Sequence, residues 1–169
     1  LGQHHARIYA ELAANSEAVK LVGVSDTDTA RAEEIAGRYG CGAYHDWRKM
    51  LDKTDALSIA APTSLHYKIA LECVRSGKDL LIEKPITVTL EEADTLIKEA
   101  DKRGTIIQTG HLERYNPVVV EAFRITDKPV FIEAQRLSPF LERGIDVPVT
   151  LDLMIHDIDI VCALAGGSA

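Results

Sequence analysis

The sequence has no apolar stretch long enough to cross a membrane, and no signal peptide is visible. Its three cysteines, Cys41, Cys73 and Cys162, are odd in number and far apart, and no Cys-x-x-Cys occurs. This pattern argues against a disulfide framework and a cysteine zinc site, and it predicts buried thiols in a reducing compartment. We therefore expect a cytoplasmic protein.

Positive charge is also in the minority, with 19 Lys and Arg against 26 Asp and Glu and a net charge of -7. This balance disfavours broad binding to nucleic acids or anionic membranes and leaves only a local basic patch open. No repeat and no low-complexity tract interrupts the 169 residues. That length suffices for one domain, or for one domain and part of a second.

Strands and helices alternate over the first two thirds of the chain. The predicted helices are Gly2–Ala14, Thr27–Tyr39, Trp47–Leu51, Ser64–Ser76 and Leu90–Arg103, and the predicted strands are Val19–Ser25, Gly42–Tyr44, Asp55–Ala60, Leu80–Ile82 and Thr105–Thr109. Strict alternation predicts an α/β fold in which helices cover both faces of a parallel sheet.

The alternation stops after Gly110. A helix over Pro117–Ile125, an alternating antiparallel strand over Val130–Ser138 and a helix over Leu151–Ala165 are predicted next. We expect a Rossmann-type domain over residues 1–112, followed over residues 113–169 by the start of an α+β substrate or dimerisation domain.

The first helix and the strand after it match the second half of a Rossmann βαβ unit. Gly2 occupies the place of the third glycine of Gly-x-Gly-x-x-Gly, where it would allow close packing of helix and strand. Asp26 ends the next strand, where it is placed to accept hydrogen bonds from the adenosine ribose and to disfavour a 2′-phosphate. The alternative role of Asp26 is to cap the helix that begins near Thr27. We also expect a first strand before Leu1 in the full protein.

The segment Asp79–Pro85 is an apolar strand that ends in Glu83, Lys84 and a proline. Ligands of open α/β sheets collect at the carboxyl ends of the strands. Glu83 and Lys84 are therefore candidates for contact with a ligand.

Together these segments make the chain similar to the Gfo/Idh/MocA oxidoreductases. The motifs that carry the resemblance are Gly2-x-x-His5-Ala6, Val24-Ser25-Asp26, Ala61-Pro62-Thr63-Ser64-x-His66, Gly77-Lys78 followed by Asp79–Pro85, Gly110-His111-x-x-Arg114-x-Asn116-Pro117 and Asp152-x-x-x-His156-Asp157-x-Asp159. The resemblance implies an NAD-dependent sugar or nucleotide-sugar dehydrogenase, with NADP as the less favoured cofactor.

The resemblance also implies catalytic roles for Lys84, His156 and Asp152. Lys84 would stabilise the alkoxide, while His156 would take the hydroxyl proton and Asp152 would orient it or contact the substrate. A residue spacing of four puts Asp152 and His156 on one face of a helix, where they could instead form a surface ion pair or ligate a metal. No third ligand stands at a suitable spacing, so no metal is expected. Asp157 and Asp159 are expected to form salt bridges or caps.

The family's cofactor loop matches Ala61, Pro62, Thr63 and His66, which join Gly2, Asp26, Glu83 and Lys84 as candidate cofactor contacts. For His66, a role as a core or capping histidine is an equal alternative.

Arg114 and Arg136, with Asp152 and His156, are the candidate substrate contacts. Arg114 is placed to hold a phosphate or substrate oxygen, or to pair with Glu113 or Glu121. Arg136-Leu137-Ser138-Pro139-Phe140 resembles the branch of the family that acts on UDP-N-acetylglucosamine at its 3-hydroxyl, which adds Ser138 and Arg143 as candidates.

Two other functions stay open at this point. A free polyol or aldose could be the substrate, or the protein could be a non-enzymatic regulator that senses the dinucleotide. The family resemblance also implies a homo-oligomer, either a dimer or a tetramer.

Overall fold

The computed structural model describes residues 1–137 and 150–166, apart from the side chain of Asp152. The helices are α1 (Gly2–Asn15), α2 (Thr29–Tyr39), α3 (Thr63–Arg75), α4 (Leu90–Arg103), α5 (Pro117–Ile125) and α6 (Ile155–Leu164). The strands are β1 (Gly23–Ser25), β2 (Gly42–Tyr44), β3 (Ala56–Ile59), β4 (Asp79–Ile82) and β5 (Ile107–Thr109). Short 3₁₀ helices span Trp47–Lys53 and Leu112–Tyr115, and Thr150–Met154 is π-helical. The predicted α/β class is confirmed.

The strands form two sheets, with the orders β1-β2 and β3-β4-β5. β1 and β2 are parallel, and so are β3 and β4, whose register pairs Ile59 with Ile82.

Helix α4 shows how the local sequence sets the ends of an element. Thr89 and Glu92 form a capping box, in which Thr89 Oγ1 accepts from Glu92 N and the Glu92 carboxylate accepts from Thr89 N. Gly104 ends the helix with φ 68°, a left-handed conformation that costs glycine little. The observed bounds equal the predicted ones.

The main core lies between β3, β4, α3 and α4. Its buried members are Ile59, Ala70, Cys73, Val74, Leu80, Ile82, Leu96 and Ala100. Burial raises the pKa of the Cys73 thiol to about 12, so that this cysteine is an inert part of the core. All three cysteines are free thiols, but Cys41 and Cys162 are only half-buried, which corrects the expectation that all three are buried.

The chain forms two compact units, unit 1 (Leu1–Gln108) and unit 2 (Thr109–Ala169). Unit 2 departs most from the predictions. Residues 130–137 form no strand, because a strand needs a hydrogen-bonded neighbour and the described residues offer none there. The predicted helix Leu151–Ala165 is divided between a π-helical segment and α6.

None of the helices in the described ranges has the length and apolar character that a membrane crossing requires.

Candidate active site

Lys84 lies just beyond the carboxyl end of β4. Strands β3 and β4 are parallel, and their register pairs Ile59 with Ile82. Ala61 and Lys84 each follow this pair by two residues, so both lie at the same edge of the sheet. Lys84 is half-buried, whereas Glu83 and Pro85 on either side of it are buried. The Lys84–Pro85 peptide bond is cis. The two residues that flank Lys84 are therefore enclosed, whereas Lys84 itself is partly accessible to solvent.

Glu83 is held from α1. Its side chain is 7% exposed, and its Oε1 accepts a 2.8 Å hydrogen bond from Nε2 of His5. The other ring nitrogen of His5 lies 2.6 Å from Ser58 Oγ in β3. The hydrogen bond from His5 is the main cause that lowers the pKa of the Glu83 carboxyl. These contacts favour a structural role for Glu83. A contact between Glu83 and the cofactor stays a prediction.

His5 and Ser58 received no role in the sequence analysis. The sequence does indicate that Ser58 has a partner, because Ser58 is a polar residue inside an apolar strand. Buried hydroxyl groups in such positions form hydrogen bonds. The identity of the partner depends on how α1 packs on the sheet, which the spacing does not show.

His66 is 1% exposed, and both of its ring nitrogens face main-chain oxygens. Nδ1 lies 2.9 Å from the carbonyl oxygen of Pro85, and Nε2 lies 2.8 Å from that of Ala61. This geometry favours the alternative in which His66 is a core histidine. Its contact with a cofactor stays a prediction.

Asp26 follows β1 and keeps a half-exposed carboxylate. Its predicted alternative role as the helix cap is wrong, because α2 begins at Thr29 and its cap is Asp28, which accepts from Arg31 N. Asp26 Oδ1 instead accepts from Asp28 N at 2.9 Å. Nε of Arg31 lies 4.0 Å from Asp26 Oδ2 and partly offsets the negative charge that disfavours a 2′-phosphate.

Gly2 lies against the end of β3. A Cβ added to it would lie 3.8 Å from Cβ of Ala60, an ordinary contact, so the described residues supply no steric reason for this glycine and its role in close packing stays a prediction. No side chain caps the first turn of α3, which begins at Thr63 after Ala61 and Pro62. Uncapped first turns attract phosphate groups, so these residues and Asp26 fit a dinucleotide.

In unit 2, Arg114 pairs with Asp159, not with either predicted glutamate. Nε and one terminal nitrogen of Arg114 each donate a 2.6 Å hydrogen bond to the Asp159 carboxylate. The Asp159 side chain is 4% exposed, and Nδ1 of His111 lies 3.9 Å from Oδ1. The guanidinium hydrogen bonds are the main cause that lowers the pKa of Asp159.

Arg136 forms a second bidentate pair, with Asp157. The side chains are 35% and 24% exposed, so this pair is more open to water. Asp157 and Asp159 therefore form salt bridges, as predicted. The hydrogen bonds from Arg136 are the main cause that lowers the pKa of Asp157. The half-buried His156 directly precedes Asp157 in sequence, and its charge when protonated adds a smaller lowering of the pKa of both carboxyls.

The predicted shared face of Asp152 and His156 assumed one continuous α-helix. The π-helical segment over Thr150–Met154 changes the number of residues per turn before α6 begins. The side chain of Asp152 and the candidates Ser138 and Arg143 lie outside the described residues. Among the described residues, no group of three His, Cys, Asp or Glu is arranged to hold a metal ion.

Comparison with known proteins yields a family and a set of relatives. The model of the oxidoreductase family with an NAD-binding Rossmann fold, Gfo/Idh/MocA, matches residues 1–111. A UDP-N-acetylglucosamine 3-dehydrogenase from Acidithiobacillus ferrooxidans is 38% identical over 98% of this chain and 51% of its own length. The scyllo-inositol 2-dehydrogenase (NAD(+)) of Bacillus subtilis is 31% identical over the same shares, 98% and 51%.

Solved structures agree with these relatives. A structure of the A. ferrooxidans enzyme has a TM-score of 0.89 and covers 98% of this chain and 53% of its own. GenD2 from gentamicin A biosynthesis, in complex with NAD, is 21% identical with a TM-score of 0.82, which supports the fold alone. The chain spans about half the length of the curated relatives that it matches.

Proposed function

We propose a function from the premise that the chain belongs to the Gfo/Idh/MocA oxidoreductase family with its NAD-binding Rossmann fold. The full protein oxidises a hydroxyl-bearing carbon of a nucleotide sugar, and the substrate that we propose is UDP-N-acetylglucosamine, at its 3-hydroxyl. The 38% identity to a dehydrogenase of this sugar supports the choice of substrate.

The observation that carries the proposal is the setting of Lys84. It is half-buried at the carboxyl edge of the sheet, between two buried residues and in line with the loop at Ala61. An ammonium group in this position stabilises negative charge that develops on the substrate oxygen. Asp26, on the strand end after β1, binds the adenosine ribose.

Asp26 and the loop from Ala61 to Thr63 would hold NAD, which would supply the acceptor for the hydride of the substrate C–H bond. His156 holds the proton that leaves the O–H group, and Lys84 stabilises the oxygen while the carbonyl forms. Asp152 orients His156 or contacts the sugar.

Arg114 and Arg136 are proposed to contact oxygen atoms of the substrate without leaving their aspartates. A guanidinium has five N–H donors, and each pair uses only part of them. The remaining donors are available to a diphosphate.

The test is the turnover of full-length protein with NAD and a panel of UDP-sugars, inositols and free aldoses, followed by the ultraviolet absorbance of NADH. We expect UDP-N-acetylglucosamine to give the highest kcat/KM. We expect Lys84→Ala and His156→Ala each to lower kcat about 10²-fold or more, because each removes a group that acts in the transition state. Near-normal kcat in both variants would contradict the mechanism.

A second candidate substrate is a polyol, favoured by the 31% identity to an inositol dehydrogenase. Reduction of NAD by inositol but not by UDP-sugars would select it. NAD that binds but is never reduced by any member of the panel would instead support a regulator.

We further propose a domain boundary between residues 112 and 113, a cytoplasmic location and a homo-oligomer, either a dimer or a tetramer. Light scattering on the full-length protein measures the subunit number, and a monomer would contradict the last point.

A further inference from the structure

Two histidines hold the peptide on either side of Lys84. His5, from α1, contacts the residue before Lys84, and His66, from α3, contacts the residue after it. Both lie in unit 1, and neither ring points its nitrogens to solvent: one faces Ser58 and Glu83, and the other faces two carbonyl oxygens.

The contact before Lys84 is made with Glu83. The Glu83 carboxylate accepts from His5 Nε2, and its pKa is lowered chiefly by this hydrogen bond and to a smaller extent by the backbone and the charge of Lys84. The Glu83 amide in turn donates to Ile59 O at 2.9 Å and extends the β3–β4 pairing. Glu83 is thus fixed through its backbone by β3 and through its side chain by α1, and it transmits both restraints to Lys84.

The contact after Lys84 joins two loops at the sheet edge. A carbonyl oxygen only accepts, so each contact of His66 is a hydrogen bond when the facing ring nitrogen carries a proton. A neutral ring makes one of the two bonds, and a doubly protonated ring makes both. Through His66, the turn at Pro85 and the loop at Ala61 are held in one arrangement.

We propose that His5 and His66 are positioning residues for Lys84, which fix from both sides the backbone from which its ammonium group reaches the substrate oxygen. This inference rests on the proposed function of Lys84. It assigns the two histidines no contact with the reacting atoms. Their effect follows from geometry, since a displacement of about 1 Å at a catalytic group lowers a rate roughly 10²-fold.

The kinetic test uses full-length protein with NAD and the best substrate of the panel. We expect His5→Ala and His66→Ala each to lower kcat about 10- to 100-fold with KM nearly unchanged, because a misplaced ammonium weakens the transition state more than the bound substrate. The matched control is His4→Ala, an exposed residue next to His5 on α1, which should keep the kcat of the unaltered protein.

A double-mutant cycle separates positioning from a general loss of structure. In the Lys84→Ala background, adding His5→Ala or His66→Ala should lower kcat no further, since both act through the group already removed. Full additivity of the losses would overturn the inference.

A second measurement needs neither cofactor nor substrate. Hydrogen exchange of residues 79–85 should be faster in His5→Ala and His66→Ala than in His4→Ala. The first variant releases the side chain of Glu83, and the second releases the turn at Pro85. Unchanged exchange in both variants would overturn the inference even if the kinetics changed.

Conservative variants cover the case in which an alanine variant does not fold. In His5→Gln and His66→Gln the side-chain amide supplies N–H donors in place of the ring, and we expect these variants to recover part of the lost kcat and exchange protection. If Lys84→Ala itself keeps full kcat, the proposed function fails. A second outcome is that Lys84→Ala is impaired but the alanine and glutamine variants of both histidines behave like His4→Ala. In that case the inference about His5 and His66 fails, while the proposed function of Lys84 stands.

Discussion

Units 1 and 2 are stabilised by different interactions. In unit 1 the buried hydrophobic residues run from Ala6 to Ala100, and eight of them form one cluster between β3, β4, α3 and α4. In the described part of unit 2 no hydrophobic side chain is buried, and the buried charged residue is Asp159. Apolar contact organises the first unit, whereas two arginine–aspartate pairs provide the directional contacts of the second.

The difference shows what each kind of contact can specify. Apolar burial is strong but has no direction, so unit 1 depends on regular elements to arrange its core. A bidentate arginine–carboxylate pair is directional but weaker when water reaches it. In unit 2 the large apolar residues Val130, Phe131 and Leu137 are more than four-fifths exposed and add little to stability within the described residues.

The largest expected effect is on the core of unit 1. Leu96→Ala removes a side chain that is 0% exposed, and we expect the free energy of unfolding to fall by about 2–5 kcal/mol because a cavity remains. Urea unfolding followed by fluorescence of Trp47, the one tryptophan, measures this change in unit 1. The control is the neighbouring Ile97→Ala, 53% exposed, and an equal loss in both variants would contradict the core assignment.

An intermediate effect is expected at Asp159. Asp159→Asn leaves Arg114 with a neutral partner, and we expect the local stability of α6 to fall by about 1–2 kcal/mol, since the guanidinium is 38% exposed and partly screened. Hydrogen exchange of α6 measures the change, with the exposed Asp127→Asn as control.

The same pair predicts a dependence on pH. The pKa of Asp159 is lowered in the folded protein by its hydrogen bonds with Arg114, so the stabilisation is present above the ordinary carboxyl pKa of about 4 and is lost as the pH falls through the folded pKa. Exchange of α6, corrected for the intrinsic rate at each pH, should therefore depend less on pH below about 4 in Asp159→Asn. If the pH dependence of α6 exchange were the same in Asp159→Asn and in the unaltered protein, Asp159 would not be the group responsible.

The smallest effect is expected at the more open pair. Arg136→Ala should lower the stability of α6 by no more than about 1 kcal/mol, because exposed ion pairs contribute little. The loss should shrink further in high salt, which screens such a pair. A loss larger than that of Asp159→Asn would reverse the ranking of the two pairs.

Most of unit 1 was predictable from the sequence because its signals are local. The capping box and Gly104 set the bounds of α4, and the apolar run before Glu83 identified β4. The strand predicted over Val130–Ser138 was wrong over its described residues, because alternation shows that a segment can form a strand but not that a neighbour is present. The division before α6 was missed since a π-helical segment leaves no simple periodic signal.

The sequence alone determined the α/β class, the family and the candidate residues, above all Lys84 at the end of an apolar strand, because spacing along the chain encodes periodicity and motifs. Only the tertiary structure decided the partners: His5 for Glu83, His66 for the Pro85 carbonyl, and Asp159 for Arg114. These pairs are 78, 19 and 45 residues apart in sequence. Contacts over such distances depend on how helices pack on strands, and no local pattern of residues records that packing.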